Sequence, residues 1–362
     1  MVDFWSKKLL IKPNEKAINF MVAGLGKVLV SNDGLNWWIE NRSMPAFWSG
    51  ALGYGFGKFY NTTPGKAYYS EDGRNWTQFT LPSSYSANKF TYAGDKMFIY
   101  GPHGYLDSTT YTELNVTTDG VNWYQEDLPI ASAWKDIAYN GNGKYIAVGG
   151  EYSPYISTGS YSRGAINNGS GWVQVNALNS LYTVNVSRYY KIPVGAGHYN
   201  GKWYVVCRED SSGNKGGIVY WNNTSTALTV ESFNSLNIES CSFIPGQIAV
   251  VSGNGGYLLA PGNSMGKSYK NMVAGMGSQN NGYEEYSVNN GYNMRISYSV
   301  GDKRWYRISI NESTGLVQID RTTSSNLPVS SSMWQSCKMP SNISEFSSYG
   351  SAVVGRDILI GE

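Results

Sequence analysis

Charge, histidine and cysteine are all scarce in this 362-residue chain, and each shortage removes a class of chemistry. Charged residues make up 15%, against roughly 25% in average soluble proteins. Lys and Arg number 28 and Asp and Glu 26, so a net charge of +2 sets up no field to draw nucleic acid or an anionic membrane. The two histidines, His103 and His198, lack H-x-x-H spacing and support neither a zinc site nor a His-based triad. Three widely separated cysteines, Cys207, Cys241 and Cys337, build no disulfide framework and no Cys-x-x-Cys site. No G-x-x-x-x-G-K-[ST] motif is present, and Gly253-Asn254-Gly255-Gly256 reads as a turn. No apolar run approaches the ~20 residues that span a bilayer. Asp3, Ser6, Lys7 and Lys8 interrupt the stretch where a signal peptide needs apolar residues. The expectation is a soluble protein without cofactor or metal, made in the cytoplasm.

What the chain does have is 29 Tyr, 12 Trp, 11 Phe and 42 Gly, a composition of strands and tight turns rather than helices. It also repeats. Ser31-Asn-Asp33-Gly34-Leu-Asn36-Trp37, Ser70-Glu-Asp72-Gly73-Arg-Asn75-Trp76 and Thr117-Thr-Asp119-Gly120-Val-Asn122-Trp123 share the pattern S/T-x-D-G-x-N-W. A degenerate copy, Asn168-Gly-Ser170-Gly171-Trp172, keeps the spacing, and Trp221 is read as a fifth anchor. An apolar residue and Pro follow at Met44-Pro45, Leu81-Pro82, Leu128-Pro129 and Leu327-Pro328, where proline is expected to end a strand. A second series marks seven hairpin turns, at Gly57-Lys58, Asp95-Lys96, Gly143-Lys144, Gly201-Lys202, Gly246-Gln247, Asp302-Lys303 and Gly355-Arg356.

Each unit therefore reads as four antiparallel strands A to D, with A over 136–140 and B over 144–150 in the clearest copy. Four strands in 40 to 50 residues is the arithmetic of a propeller blade. Seven turns predict an all-β, seven-bladed β-propeller over residues 17–362, preceded by a surface arm, 1–16. The first S-x-D-G turn precedes any complete A-B hairpin and the last A-B turn has no C-D pair after it. A C-terminal strand at 357–361 is thus expected to pair with N-terminal strands between Ala17 and Ser31, closing the structure and removing an exposed edge.

The S/T-x-D-G-x-N-W turns resemble the Asp-box of BNR-repeat, sialidase-like propellers, although Asp and Gly are adjacent here where the usual box separates them by one residue. The resemblance implies a structural role for Asp33, Asp72 and Asp119, with Trp37, Trp76 and Trp123 packed between blades. Tyr190-Lys191-Ile192-Pro193 is similar to the aromatic-Arg-Ile-Pro opening of sialidases, whose Arg grips a carboxylate and whose Tyr-Glu pair is the nucleophile. Lys191 replaces that Arg and has no planar fork. The Tyr-, Asn-, Gly- and Ser-rich composition also looks like virion proteins of tailed bacteriophages, of the tail-tip or fibre class.

In a propeller, B-C and D-A connections emerge at one end and A-B and C-D turns at the other. The longer units place extra residues in two B-C loops, 101–115 with His103, Tyr105 and Tyr111, and 151–168 with Tyr152, Tyr155, Tyr161 and Arg163. Trp48 and Trp134 each precede a turn lysine by ten residues, just before strand A. Aromatic rings beside short polar groups suit sugars, so this end is the expected contact surface for a host-surface glycan or another virion protein. Trp48 and Trp134 packed between blades is the competing reading. The functional expectation is a non-enzymatic binding module in a virion, open to oligomerisation within a larger assembly; the alternatives are a sialidase-like glycosidase and a purely structural scaffold.

Overall fold

Strands buried on both faces organise the structure, a computed structural model that describes residues 17–24, 27–40, 52–63, 66–83, 89–101, 111–151, 161–176, 192–199, 202–208, 215–222, 229–234, 238–244, 247–252, 257–261, 292–299, 302–311, 317–323, 334–341 and 354–355. The described strands form seven antiparallel sheets. The second sheet is β4 (Leu52–Gly55), β5 (Lys58–Thr63), β6 (Lys66–Ser70) and β7 (Thr77–Phe79). The third is β8 (Lys89–Ala93), β9 (Lys96–Tyr100), β10 (Tyr111–Thr117) and β11 (Trp123–Ser132), and the fourth is β12 (Trp134–Tyr139), β13 (Tyr145–Glu151), β14 (Tyr161–Asn167) and β15 (Trp172–Gln174). The fifth holds β16 (Ile192–Tyr199), β17 (Lys202–Arg208), β18 (Lys215–Asn222) and β19 (Thr229–Asn234). β20 (Ile238–Ile244), β21 (Gln247–Ser252) and β22 (Tyr257–Pro261) make the sixth. The seventh is β23 (Tyr292–Ser299), β24 (Arg304–Asn311), β25 (Val317–Thr322) and β26 (Trp334–Ser336).

The first sheet joins both ends of the chain. Its order is β27 (Val354–Gly355), β1 (Phe20–Gly24), β2 (Lys27–Ser31) and β3 (Trp37–Glu40), with Phe20 opposite Gly355 and Met21 opposite Val354. The leading strands of the sheets touch in chain order, β4 to β8, β8 to β12, β12 to β16, β16 to β20 and β20 to β23, and β27 touches β23 and β4.

Successive side chains of a strand point to opposite faces, and here opposite faces meet different sheets. In β1, Phe20 and Val22 pack with Tyr306, Ile308, Val317 and Ile319 of the seventh sheet, while Met21 packs with Leu52, Tyr54 and Phe59 of the second. In β13, Tyr145 and Ala147 join Phe98, Tyr100 and Leu114 of the third sheet, while Ile146 and Val148 join Trp203, Val205 and Cys207 of the fifth. Both faces of each such strand are apolar for this reason, and each buried large side chain is worth about 1.5–3 kcal/mol.

Several sequence expectations need correction. Gly355 is not a turn residue but pairs within β27, which places the pairing C-terminal strand before the expected 357–361. Pro129 does not end a strand; it lies inside β11, where the pairing with β10 jumps from Glu113↔Asp127 to Tyr111↔Ser132 and no ladder N–H is needed from it. Trp221 is no box anchor, because it lies within β18 opposite Trp203 and the next strand begins only at Thr229. Strand A of the fourth sheet begins at Trp134 rather than at Asp136, with a register shift between those two residues. The arm 1–16, Trp48 and the Leu327-Pro328 pair lie outside the described residues.

Candidate functional site

The three Asp-boxes are nearly identical closed networks between each sheet's third and fourth strands. In the first, Ser31 Oγ donates to Asp33 Oδ1 (3.1 Å), the N–H groups of Leu35 and Asn36 donate to the same oxygen (2.8 Å each), and Asn36 Nδ2 donates to Asp33 Oδ2 (2.6 Å). The bonds at Asp119 are 3.0, 2.8, 2.7 and 2.6 Å. Burial alone would raise the carboxyl pKa of Asp33 and Asp72, but the bonds from Asn36, Leu35 and Ser31, and from Asn75, Arg74 and Ser70, outweigh it and hold both below the ordinary value. At exposed Asp119 the bonds from Asn122 and Val121 lower it further. Gly34, Gly73 and Gly120 have φ of +71°, +79° and +72°, which explains glycine at that position.

Each box is plugged by the preceding sheet. Tyr60 Oη donates to the Gly120 carbonyl (2.9 Å), Tyr306 lies against Gly34, and Ile18 lies against Gly73. Trp123 stacks on Phe79 with centroids 5.5 Å apart, and Trp37 packs among the first- and seventh-sheet residues. At the degenerate fourth turn, Trp172 Nε1 donates to Glu126 Oε2 (2.7 Å), and Lys96 Nζ donates to Glu126 Oε1 (2.6 Å). These groups are occupied with structure.

At the opposite end a second cluster lies on the leading strands. Asp136 accepts the N–H of Ile137 (3.0 Å) and Tyr100 Oη–H (3.3 Å) on Oδ1 and the N–H of Ala196 (2.8 Å) on Oδ2, with Lys89 Nζ 3.6 Å away. Tyr100 also bonds Thr91 Oγ1 (2.6 Å), and Lys89 donates to the Lys135 carbonyl. Burial, then the Asp136 charge, push the Tyr100 phenol well above its ordinary pKa. One carboxylate thus ties three successive sheets. Sequence reasoning missed it because its partners, residues 89, 100 and 196, share no spacing.

Of the sequence-derived contact residues, Trp134 is 1% exposed, packs with Phe98, Leu114 and Ile137, and donates Nε1–H to the Tyr111 carbonyl (2.8 Å). It is a core residue and not an open platform for a sugar. Tyr111 and Arg163 are half-buried on β10 and β14, and Tyr161 opens β14 opposite Glu151. His103, Tyr105, Tyr152 and Tyr155, like Trp48 and Lys191, lie outside the described residues. The turn end is less plain than its spacing predicts. The exposed large apolar side chains among the described residues, Tyr92, Val121, Tyr124 and Val173, all lie at or beside A-B turns or boxes.

Cys207 and Cys337 are buried free thiols whose pKa burial pushes up to about 12. His198 packs edge-on to Trp203, and burial lowers its pKa. Among the described residues no three His, Cys, Asp or Glu side chains gather as metal ligands, and no helix is long and apolar enough to cross a membrane.

No known protein family and no curated protein matches the chain by sequence. Solved structures do resemble it. Ycf48 from Cyanidioschyzon merolae is 13% identical, with a TM-score of 0.51 over 84% of this chain and 89% of that one. AztD from Citrobacter koseri is 10% identical, with a TM-score of 0.49 over 96% and 100%. The likeness to Ycf48, together with the four-stranded antiparallel sheets, shows that the chain has a β-propeller fold.

Proposed function

We propose that the chain is a closed seven-bladed propeller acting as a non-enzymatic binding module, a phage tail or fibre component that contacts a host-surface glycan or another virion protein. Closure is supported by the pairing of β27 with β1 and by the contacts of β27 with both β23 and β4. The observation that carries the binding role is the difference between the two ends. Every box carboxylate is saturated by its own turn, whereas the described strand ends that flank 102–110 and 152–160, at Tyr100, Tyr111, Glu151 and Tyr161, are at the end where Lys89 and Asp136 lie. Loops on a rigid sheet scaffold are where binding residues concentrate. The aromatic, weakly charged composition supports recognition by ring stacking and short polar groups.

Glycoside hydrolysis is disfavoured by the tyrosines in hand. Tyr100, Tyr145 and Tyr306, which bond Asp136, Asp95 and Asp302, are buried and cannot meet a substrate carbon. Tyr124 is exposed, but its partner Glu126 is held by Lys96 and Trp172.

The test is binding of the purified chain to host cells and to a glycan array, with Tyr155→Ala and Tyr161→Ala compared with Asp72→Ala. The change at Tyr155 and the change at Tyr161, which opens β14, are each expected to weaken attachment by about 1–3 kcal/mol with little change in melting, and Asp72→Ala to lower melting without changing selectivity. Retained binding in both loop variants, or release of sialic acid from a sialoside, refutes the reading.

A further inference from the structure

The carboxylates of the first and third Asp-boxes take the same bonds from their turns, yet the outer rims differ. At the first box an extended segment of the chain is docked. The N–H of Trp37 donates to the Lys338 carbonyl (2.9 Å), the N–H of Lys338 donates to the Leu35 carbonyl (2.7 Å), and Asn36 and Lys338 form a parallel bridge. Flanking residues complete the contact: Cys337 Sγ–H donates to the Gly34 carbonyl (3.2 Å) and Met339 packs on the apolar cluster around Trp37, which Leu35 also joins. The segment is recognised by one backbone donor, one backbone acceptor and an apolar residue on each side.

The second box is covered differently. Arg74, at the position of Leu35, is 8% exposed and its Nε donates to Glu40 Oε2 of β3 (3.2 Å).

Among the described residues the third box receives no such docked segment; the chain after β7 instead bonds further along the sheet, where the Ser83 N–H donates to Asn115 Oδ1 (2.8 Å) and Ser83 Oγ to Gln125 Oε1 (3.1 Å). The register of this box is the same, Thr117↔Trp123 matching Ser31↔Trp37, so the Val121 carbonyl and the Trp123 N–H face outward as their counterparts do. The segment that corresponds to 337–339, residues 80–82, makes no backbone hydrogen bond to either group. Val121 is 64% exposed, where Leu35 is half-buried, and Tyr124 beside it is 39% exposed. An outward donor and acceptor next to exposed apolar side chains is the arrangement that accepts an added strand.

We infer that the rim of the third box, Val121 to Tyr124, binds an extended segment of a partner protein, in the parallel one-residue bridge that Lys338 makes at the first box. The chemistry fixes the class of segment. It carries a polar residue at the bridging position, which bonds through its backbone, and an apolar residue on each side to cover Val121 and the Tyr124 ring. A peptide segment is favoured over a glycan because the outward groups are one backbone donor and one backbone acceptor in strand register, and the box's carboxylate oxygens are already filled by its own turn. The site lies at the opposite end from the loops of the proposed function and does not depend on them.

The probe is a synthetic peptide spanning Trp334 to Pro340 with Cys337→Ala, which keeps an apolar flank, and a photoreactive group at its N-terminus. It is titrated against the full chain by fluorescence anisotropy up to about 1 mM, the range of a single short bridge, and then cross-linked and mapped by mass spectrometry. Saturable binding, cross-links within 119–124 and an affinity about tenfold weaker in Val121→Asp, with Val173→Asp unchanged, is the expected result. Val173 is the control because it too is exposed, at 52%, but lies on β15 of the next sheet. Val121 is 64% exposed, so the variant is expected to keep its fold, checked by its melting curve. Absence of saturable binding, an unchanged affinity in Val121→Asp, or cross-links confined to 33–37 overturns the proposal.

Discussion

Removing the Asp136 carboxylate tests whether neighbouring sheets are held together by polar bonds as well as by apolar packing. In Asp136→Ala the N–H of Ala196, a backbone group of another sheet, loses its acceptor, at a cost of about 1–3 kcal/mol for a buried unpaired donor. Tyr100 keeps Thr91 as partner, so its loss is near the usual ~1 kcal/mol of one hydrogen bond. The lysine contributes little: Lys89 is 40% exposed and its ammonium turns to water, which limits that pair to ~0–1 kcal/mol. The sum is about 2–5 kcal/mol, and at roughly 2 °C per kcal/mol for a large domain the midpoint falls by about 4–10 °C. Asp136→Asn, which keeps one acceptor oxygen for Ala196, should lose about half as much. Thermal unfolding followed by near-ultraviolet circular dichroism measures both, with Asp127→Ala on the exposed outer strand as the reference expected within about 0.5 kcal/mol of the parent. A melting point for Asp136→Ala within 1 °C of Asp127→Ala, at about 2 °C per kcal/mol, refutes the reasoning.

Deleting residues 350–362 removes β27 and should abolish the single cooperative melt, because the pairing partner of Phe20 and Met21 is lost; a full transition after truncation counts against closure. The box carboxyls should show in acid. The pKa of Asp33 and of Asp72 is below the ordinary 3.8, so their stabilisation is complete above the unfolded value and is lost as pH falls through the folded one, below about pH 4. A parent chain and an Asp33→Asn, Asp72→Asn double variant should therefore differ in stability at pH 6 and draw together as pH falls below about 4, and parallel acid-unfolding curves would contradict this. Gly57→Ala meets open space at φ +75° and should cost about 1–2 kcal/mol. Gly120→Ala places its Cβ 2.5 Å from Tyr60 Oη and 2.7 Å from Phe56 Cβ and should cost about 2–4 kcal/mol in urea unfolding; equal costs would mean that Tyr60 does not seat rigidly in the box.

Local signals were readable wherever a residue type is dictated by its own turn or strand. Asp33, Gly34 and Asn36 announce their hairpin because the side chain bonds N–H groups two and three residues on, and only glycine adopts the φ of +71° without strain. The turns at Gly57-Lys58, Asp95-Lys96 and Gly143-Lys144 were likewise legible and fall between paired strands. Reading Trp221 by spacing alone failed because a tryptophan suits either strand of a buried hairpin and the spacing does not say which. Trp134 was ambiguous for the same reason: its residue type allows a core position or an exposed platform, and only the packing of Phe98, Leu114 and Ile137 around it decides for the core. Asp136 and its partners on three sheets, and the docking of Lys338 on Leu35 and Trp37, were invisible in the sequence. Such contacts depend on which strands the fold brings side by side, and a pairing across 303 positions, like that of Cys337 with Gly34, leaves no periodic trace in either segment. The sequence by itself determined the hairpins and their repetition, since those bonds close within a few residues; the tertiary structure decided which carboxylates bind sheets together, which tryptophans are buried and which box has the segment at Lys338 docked on it.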